Sequence, residues 1–153
     1  MDDETRFWIG QQIANTQYAE NVRPLFKEGK EIAGKKPDIL ISDGAMNFHD
    51  AYKEEFSSRV APRTSRVRHI HIQGDHNNNK MERLNGEIRD REKVMRGVKK
   101  VDSPILKGYQ LYHNYFREHM GLDGKTPADA CGIKIQGRNK ILTVIQNASN
   151  SVV

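Results

Sequence analysis

The stretch Asn77–Gly97, NNNKMERLNGEIRDREKVMRG, carries the pattern around which the rest of the chain is interpreted. Its apolar residues recur at steps of three, four and seven positions, which predicts a long helix with one narrow buried face. The residues of that face, which extends just past the stretch, are Met81, Leu84, Ile88, Met95 and Val98.

A second stripe, polar throughout, runs along the same predicted helix and consists of Asn78, Glu82, Asn85 and Arg89. It brings one carboxylate, two amides and one cation to a single helix face. Gly86 lies one turn after Glu82, and glycine inside a helix costs about 1 kcal/mol relative to alanine. We therefore interpret Glu82 as a metal ligand, with a nucleic-acid backbone passing over Gly86 and Arg89. A solvated charged helix is the alternative interpretation.

The length and net charge of the chain limit its possible domain organisation and partners. The chain has 153 residues, a net charge of +5 and a sequence pI of about 9.3. That length suits one domain with a modest core, and the positive excess favours a polyanionic partner. Cys131 is the single cysteine, so no intrachain disulfide can form and a reducing cytoplasm is the expected location. No apolar run approaches the roughly 20 residues that span a membrane.

Strand and helix patterns alternate along the chain. This order predicts an α/β sheet covered by helices. The predicted elements are a strand over residues 6–14, a helix over 22–33 ended by Gly34, a strand over 38–43, a helix from Gly44, a strand over 67–72, the long helix over 77–97, and a helix that Ser103 caps and Pro104 begins. A small element is expected around residues 141–145, followed by a loose tail over 147–153.

Asp43 stands at the carboxyl end of a predicted buried strand, where chemistry collects in sheets of this class. Phosphoryl transfer on nucleic acid uses two divalent cations about 3.5–4 Å apart. Such hard cations, Mg²⁺ or Mn²⁺, take oxygen ligands. We expect Asp43 and Glu82 to supply two of those carboxylates. The alternative for Asp43 is a turn that caps the following helix.

Two other site chemistries have weaker patterns. His69 and His71 share one face of a predicted strand and His76 follows, but no cysteine or second ligand pair stands at a zinc spacing. A basic sheet edge near DNA is the preferred interpretation of these histidines. Cys131 has no paired histidine, which favours a core or turn position over catalysis.

Basic residues are concentrated in the middle of the chain. If half of them contact phosphates, binding should weaken with salt at a log–log slope of about −0.9 per contact. The residues are Arg63, Arg66, Arg68, Lys80, Arg83, Arg89, Arg91, Lys93, Arg96, Lys99 and Lys100.

The sequence ISDG at 41–44, followed by NNNKMERLNGEIRDREKVMRG at 77–97, resembles the DDE-type transposases of insertion sequences, which are relatives of retroviral integrases. The sequence HNYFREH at 113–119, with TPA at 126–128, resembles the tail that follows their catalytic core. The resemblance covers residues 2–132 and implies a ribonuclease H-like mixed sheet flanked by helices, with 133–153 as a partly loose extension. It also implies metal-dependent DNA cleavage and strand transfer with Mg²⁺ or Mn²⁺, acting on transposon ends, and a second copy or a full-length transposase as protein partner.

The resemblance assigns Asp43 as the second acid of the catalytic triad, Glu82 as the third, and Arg89 as a contact to DNA near the cut. The DNA-binding set expected from it and from the polar stripe is Asn78, Lys80, Asn85, Arg89, Arg91, Lys93 and Arg96.

The departure from the family lies at the start of the chain, where Asp2 and Asp3 look like a turn between strands. We expect the chain to begin downstream of the first acid, to lack the first strand or strands, and to be inactive alone. Three alternatives are that Asp2 or Asp3 replaces the missing acid, that the chain is a non-catalytic DNA-binding or transposase-interfering remnant, and that it is a fragment that does not fold stably.

Overall fold

Helices dominate the described residues, and two short strands among them form a sheet. The structure is a computed structural model that describes residues 1–68, 78–95 and 104–150. Within them the elements are α1 (Ala19–Ala33), β1 (Ile39–Ser42), α2 (Met46–Glu55), β2 (Ser65–Arg68), α3 (Asn79–Met95), α4 (Pro104–Tyr115), a 3₁₀ helix (Met120–Leu122), α5 (Pro127–Ala130) and α6 (Lys140–Asn150). The predicted mixed α/β class is confirmed, whereas the ribonuclease H-like sheet stays a prediction. None of the described helices has the length and hydropathy needed to cross a bilayer.

The chain divides into two compact units. The central unit comprises Ile9–Val101 and contains both strands with α1, α2 and α3. The terminal unit comprises Met1–Trp8 together with Asp102–Val153 and contains α4, α5 and α6.

The core of the central unit lies between α1 and α2. Val22, Phe26, Ala51 and Phe56 are buried there, and the rings of Phe26 and Phe56 lie 5.0 Å apart. Aromatic and aliphatic side chains at helical spacing explain why both segments form helices that bury one face. α1 ends as predicted at Gly34, whose φ of 66° is the left-handed conformation that glycine adopts readily.

The two strands are parallel, with Leu40 paired to Arg66 and Ser42 paired to Arg68. A bond from Ser65 N to the Asp38 carbonyl, 2.8 Å, extends the ladder at its start. β1 lies where the sequence predicts it. β2 begins two residues earlier than predicted, and residues 69–72 of that predicted strand lie outside the described residues.

The predicted strand over residues 6–14 is wrong, because this segment is irregular. Its apolar side chains pack without a sheet: Trp8 is buried, and its ring meets Tyr109 and His113 of α4 edge to face at 6.0 Å. The turn expected around residues 2–4 is present, closed by a bond from Asp2 N to the Phe7 carbonyl at 2.9 Å.

The end of the chain is more regular than its sequence pattern indicates. α5 begins with a capping box in which the Thr126 hydroxyl accepts from Asp129 N at 3.2 Å and the Asp129 carboxylate accepts from Thr126 N at 3.4 Å. The Thr126 hydroxyl also donates to that carboxylate at 2.8 Å. α6 runs to Asn150, so residues 147–150 are helical where a loose tail was expected.

Candidate functional site

Asp43 directly follows β1, at the carboxyl end of the parallel pair. Its Oδ1 accepts a hydrogen bond from Ala45 N at 3.1 Å, and its side chain is exposed. Gly44, with a φ of 92°, then turns the chain into α2. The bond to Ala45 forms a turn, as the alternative interpretation expects, but Asp43 does not cap α2, whose N-cap is Ala45 and has no side-chain cap. The bond leaves the second carboxylate oxygen without a hydrogen-bond partner among the described residues, so the group still has capacity for a cation.

Glu82 lies in the first turn of α3, where a carboxylate also complements the positive end of the helix dipole. Its side chain is exposed and makes no hydrogen bond or ion pair with any described residue. The same is true of Asn85 and Arg89, which lie on the same side of the helix. Leu84, only 3% exposed, marks the opposite, packed side. We call Glu82, Asn85 and Arg89 the open stripe.

Gly86 adjoins the open stripe, and a Cβ built there would meet no protein atom within 4 Å. Contacts among the described residues therefore do not explain a glycine at this place. The expected close approach to Gly86 is not made by these residues.

The other residues expected to contact DNA differ in solvent exposure and in ion pairing. Asn78 and Lys80 are half-buried at the start of α3, and Arg91 is exposed. Lys93 forms a surface ion pair with Asp90 at 2.9 Å, which a phosphate would have to displace. Arg96 lies outside the described residues.

The types of ligand present suit a divalent metal ion, but the number of ligands that are grouped together does not. The Asp43 and Glu82 carboxylates are the hard oxygen ligands that Mg²⁺ and Mn²⁺ prefer. Over residues 1–68, 78–95 and 104–150, however, no three His, Cys, Asp or Glu side chains are grouped so as to hold an ion. His69, His71 and His76 lie outside these ranges. The zinc hypothesis, which depends on them, therefore stays a prediction.

The carboxylate of Asp2, one candidate for the first acid, is already engaged. It accepts from Thr5 N at 2.8 Å and from the Thr5 hydroxyl at 2.6 Å. Burial alone would raise the pKa of Asp2, but the bonds from Thr5 and the positive amino terminus outweigh it and lower the pKa. Asp3 is exposed beside it. Cys131 is exposed at the end of α5, in keeping with the turn position expected for it.

Two arginines on β2 were expected only as members of a basic cluster, and their packing was missed. Arg66 donates to His49 Nδ1 and to Ser42 Oγ, both at 3.0 Å. The Arg68 side chain lies over Gly44, with its Nε 2.9 Å from the position that a Cβ would take. The available signal was their two-residue spacing, which puts both side chains on one face of a strand.

No family model, curated protein or solved structure matches this chain. The resemblance to DDE transposases therefore rests on the quoted residues alone.

Proposed function

We propose that the chain is the catalytic-domain part of a DDE-type transposase, which cleaves and joins DNA strands with divalent metal ions. In this proposal Asp43 and Glu82 are metal-binding acids, and Asn85 and Arg89 contact the DNA backbone. The observation that carries it is the open stripe: a carboxylate, an amide and a guanidinium on one helix face, none of them paired within the described residues.

An open stripe of this composition suits a phosphodiester substrate. The carboxylate would hold Mg²⁺ or Mn²⁺, which when bound activates an attacking oxygen and stabilises the leaving one. Arg89 can donate two parallel hydrogen bonds to a phosphate, and Asn85 can donate a further one. A helix that served solubility alone would gain from pairing such charges at neighbouring turns, as Lys93 and Asp90 do.

A second candidate is a non-catalytic DNA-binding module that interferes with a full-length transposase. It is favoured by the absence of any metal-capable group of three among the described residues. In this case Arg89 and Asn85 keep their contacts to DNA, and Glu82 has no catalytic role.

Nicking of supercoiled plasmid in Mn²⁺ separates the candidates. Because the chain is expected to lack the first acid and to be inactive alone, nicking by the wild type would mean that Asp2 or Asp3 supplies that acid. Asp43→Asn and Glu82→Gln should then lose more than the roughly 10–100-fold caused by losing a residue that only supports a metal ligand. Asp50→Asn and Glu92→Gln remove the same charges from α2 and α3 and should nick normally. DNA binding that survives Glu82→Gln, without nicking by any form, would instead support the non-catalytic module.

A further inference from the structure

Two arginines project from the same face of β2 beside the end of β1. Arg66 and Arg68 are two positions apart, so their Cα atoms are separated by about 6.6 Å. Register pairs Arg68 directly with Ser42, the last residue of β1. Both guanidinium groups therefore belong to the sheet edge from which Asp43 emerges.

Arg66 is fixed in place by two partners that are not carboxylates. Its two terminal nitrogens bond Ser42, which is buried, and His49 of α2, and its Nε is buried without a hydrogen-bond partner among the described residues. Since neither partner is a carboxylate, the positive charge is held at the sheet edge without being neutralised.

Arg68 is exposed, and its guanidinium lies over the Gly44 backbone. The Arg68 side chain makes no hydrogen bond or ion pair with any described residue, including Asp43, which is one residue from the glycine that it covers. Gly44 makes this approach possible because a side chain there would collide with the guanidinium. Two like charges on one face of β2, neither ion-paired within the described residues, lower the energy of a bound anion.

We propose that Arg66 and Arg68 form a binding site for one phosphate group of a DNA strand, with Arg68 contacting the phosphate and Arg66 adding a second fixed positive charge. The identification of the anion as a DNA phosphate rests on the proposed function. A phosphate bound there would lie beside Asp43. The site is separate from the open stripe, because it is built on the sheet edge and not on α3.

Binding of a short fluorescein-labelled DNA duplex, followed by anisotropy in EDTA over a series of salt concentrations, tests the proposal without any metal. Arg68→Ala should weaken binding roughly tenfold at low salt and make the log–log salt slope shallower by about one unit. Arg68→Gln, which keeps the aliphatic stem, should behave like Arg68→Ala. Lys27→Ala, which removes an exposed charge from α1 of the same unit, should leave the slope unchanged.

An equal effect of Arg68→Ala and Lys27→Ala, or a wild type that does not bind DNA, would overturn the proposal. Thermal unfolding of each variant, monitored by circular dichroism, verifies that the compared proteins are folded. Because the assay contains EDTA, its outcome is independent of catalysis. If Arg68→Ala weakens DNA binding and Lys27→Ala does not, while Glu82→Gln nicks DNA in Mn²⁺ as the wild type does, the phosphate site is supported and the transposase proposal is rejected.

Discussion

The side-chain amide of Asn114 pairs with both backbone polar groups of Trp8. Its Oδ1 accepts from Trp8 N at 2.8 Å, and its Nδ2 donates to the Trp8 carbonyl at 3.0 Å. Both residues are only 3% exposed, and Gln110 donates a further bond to the same carbonyl at 2.8 Å. One side chain of α4 thus provides hydrogen-bond partners for the backbone N–H and C=O of an irregular segment, as a neighbouring strand does in a sheet.

Asn114→Ala should destabilise the protein by about 2 kcal/mol, because it leaves the buried Trp8 N–H without this partner. Urea unfolding gives the free energy, and the fluorescence of Trp8, the single tryptophan, reports its environment. Gln146→Ala removes an exposed amide from α6 in the same unit and should cost almost nothing. Equal losses in the two variants would mean that the Asn114 pairing contributes little.

The capping box of α5 predicts a dependence of stability on pH. The pKa of Asp129 is lowered, chiefly by the hydrogen bond from the Thr126 hydroxyl. A carboxylate with a lowered folded-state pKa contributes stability that is complete above its ordinary pKa and is lost as the pH falls below about 4. Acid should therefore destabilise the wild type more than Asp129→Asn. Urea midpoints measured at neutral pH and at acid pH test this, and identical acid losses would contradict it.

Gly86 and Gly108 form a matched pair of helix glycines, in α3 and α4 respectively. A Cβ at either position meets no atom within 4 Å, so alanine should stabilise each helix by roughly 1 kcal/mol. If DNA passes over Gly86, only Gly86→Ala should also weaken binding. Anisotropy with a labelled duplex measures this. Unchanged affinity in the stabilised Gly86→Ala protein would remove the argument for close approach.

Leu84 is the buried anchor of α3, whereas Val94 on the same helix is 83% exposed. Leu84→Ala should cost about 3 kcal/mol through lost burial and an unfilled cavity, and Val94→Ala should cost less than about 0.5 kcal/mol. Chemical unfolding of both variants checks the difference. Comparable values would show that α3 is not packed through Leu84.

The sequence predicted most helices because their signals are local. Apolar spacing around Val22 and Phe26 locates α1, and Gly34 ends it. The first strand was predicted wrongly because Phe7, Trp8 and Ile9 favour a strand locally, while the amide that satisfies Trp8 comes from residue 114. The buried face of α4 does not follow its apolar residues either: Tyr112 is 44% exposed, and the polar His113 and Asn114 are buried.

In the candidate site, too, the features set by local spacing could be predicted from the sequence, and those set by tertiary packing could not. Helical periodicity was sufficient to predict that Glu82, Asn85 and Arg89 share one face, since spacing along a helix fixes direction. The contacts of Arg66 with Ser42 and His49 depend on strand register and on the packing of α2, which no local pattern encodes. Whether Asp43 and Glu82 act on one ion depends on tertiary packing for the same reason.

Mn²⁺ titration calorimetry on the wild type, Asp43→Asn and Glu82→Gln tests the central claim most directly, with Asp50→Asn and Glu92→Gln as charge-matched controls. We expect saturable Mn²⁺ binding by the wild type and both controls, and its loss in both Asp43→Asn and Glu82→Gln. No binding by the wild type, or binding that survives either of these two substitutions, would contradict a shared metal site.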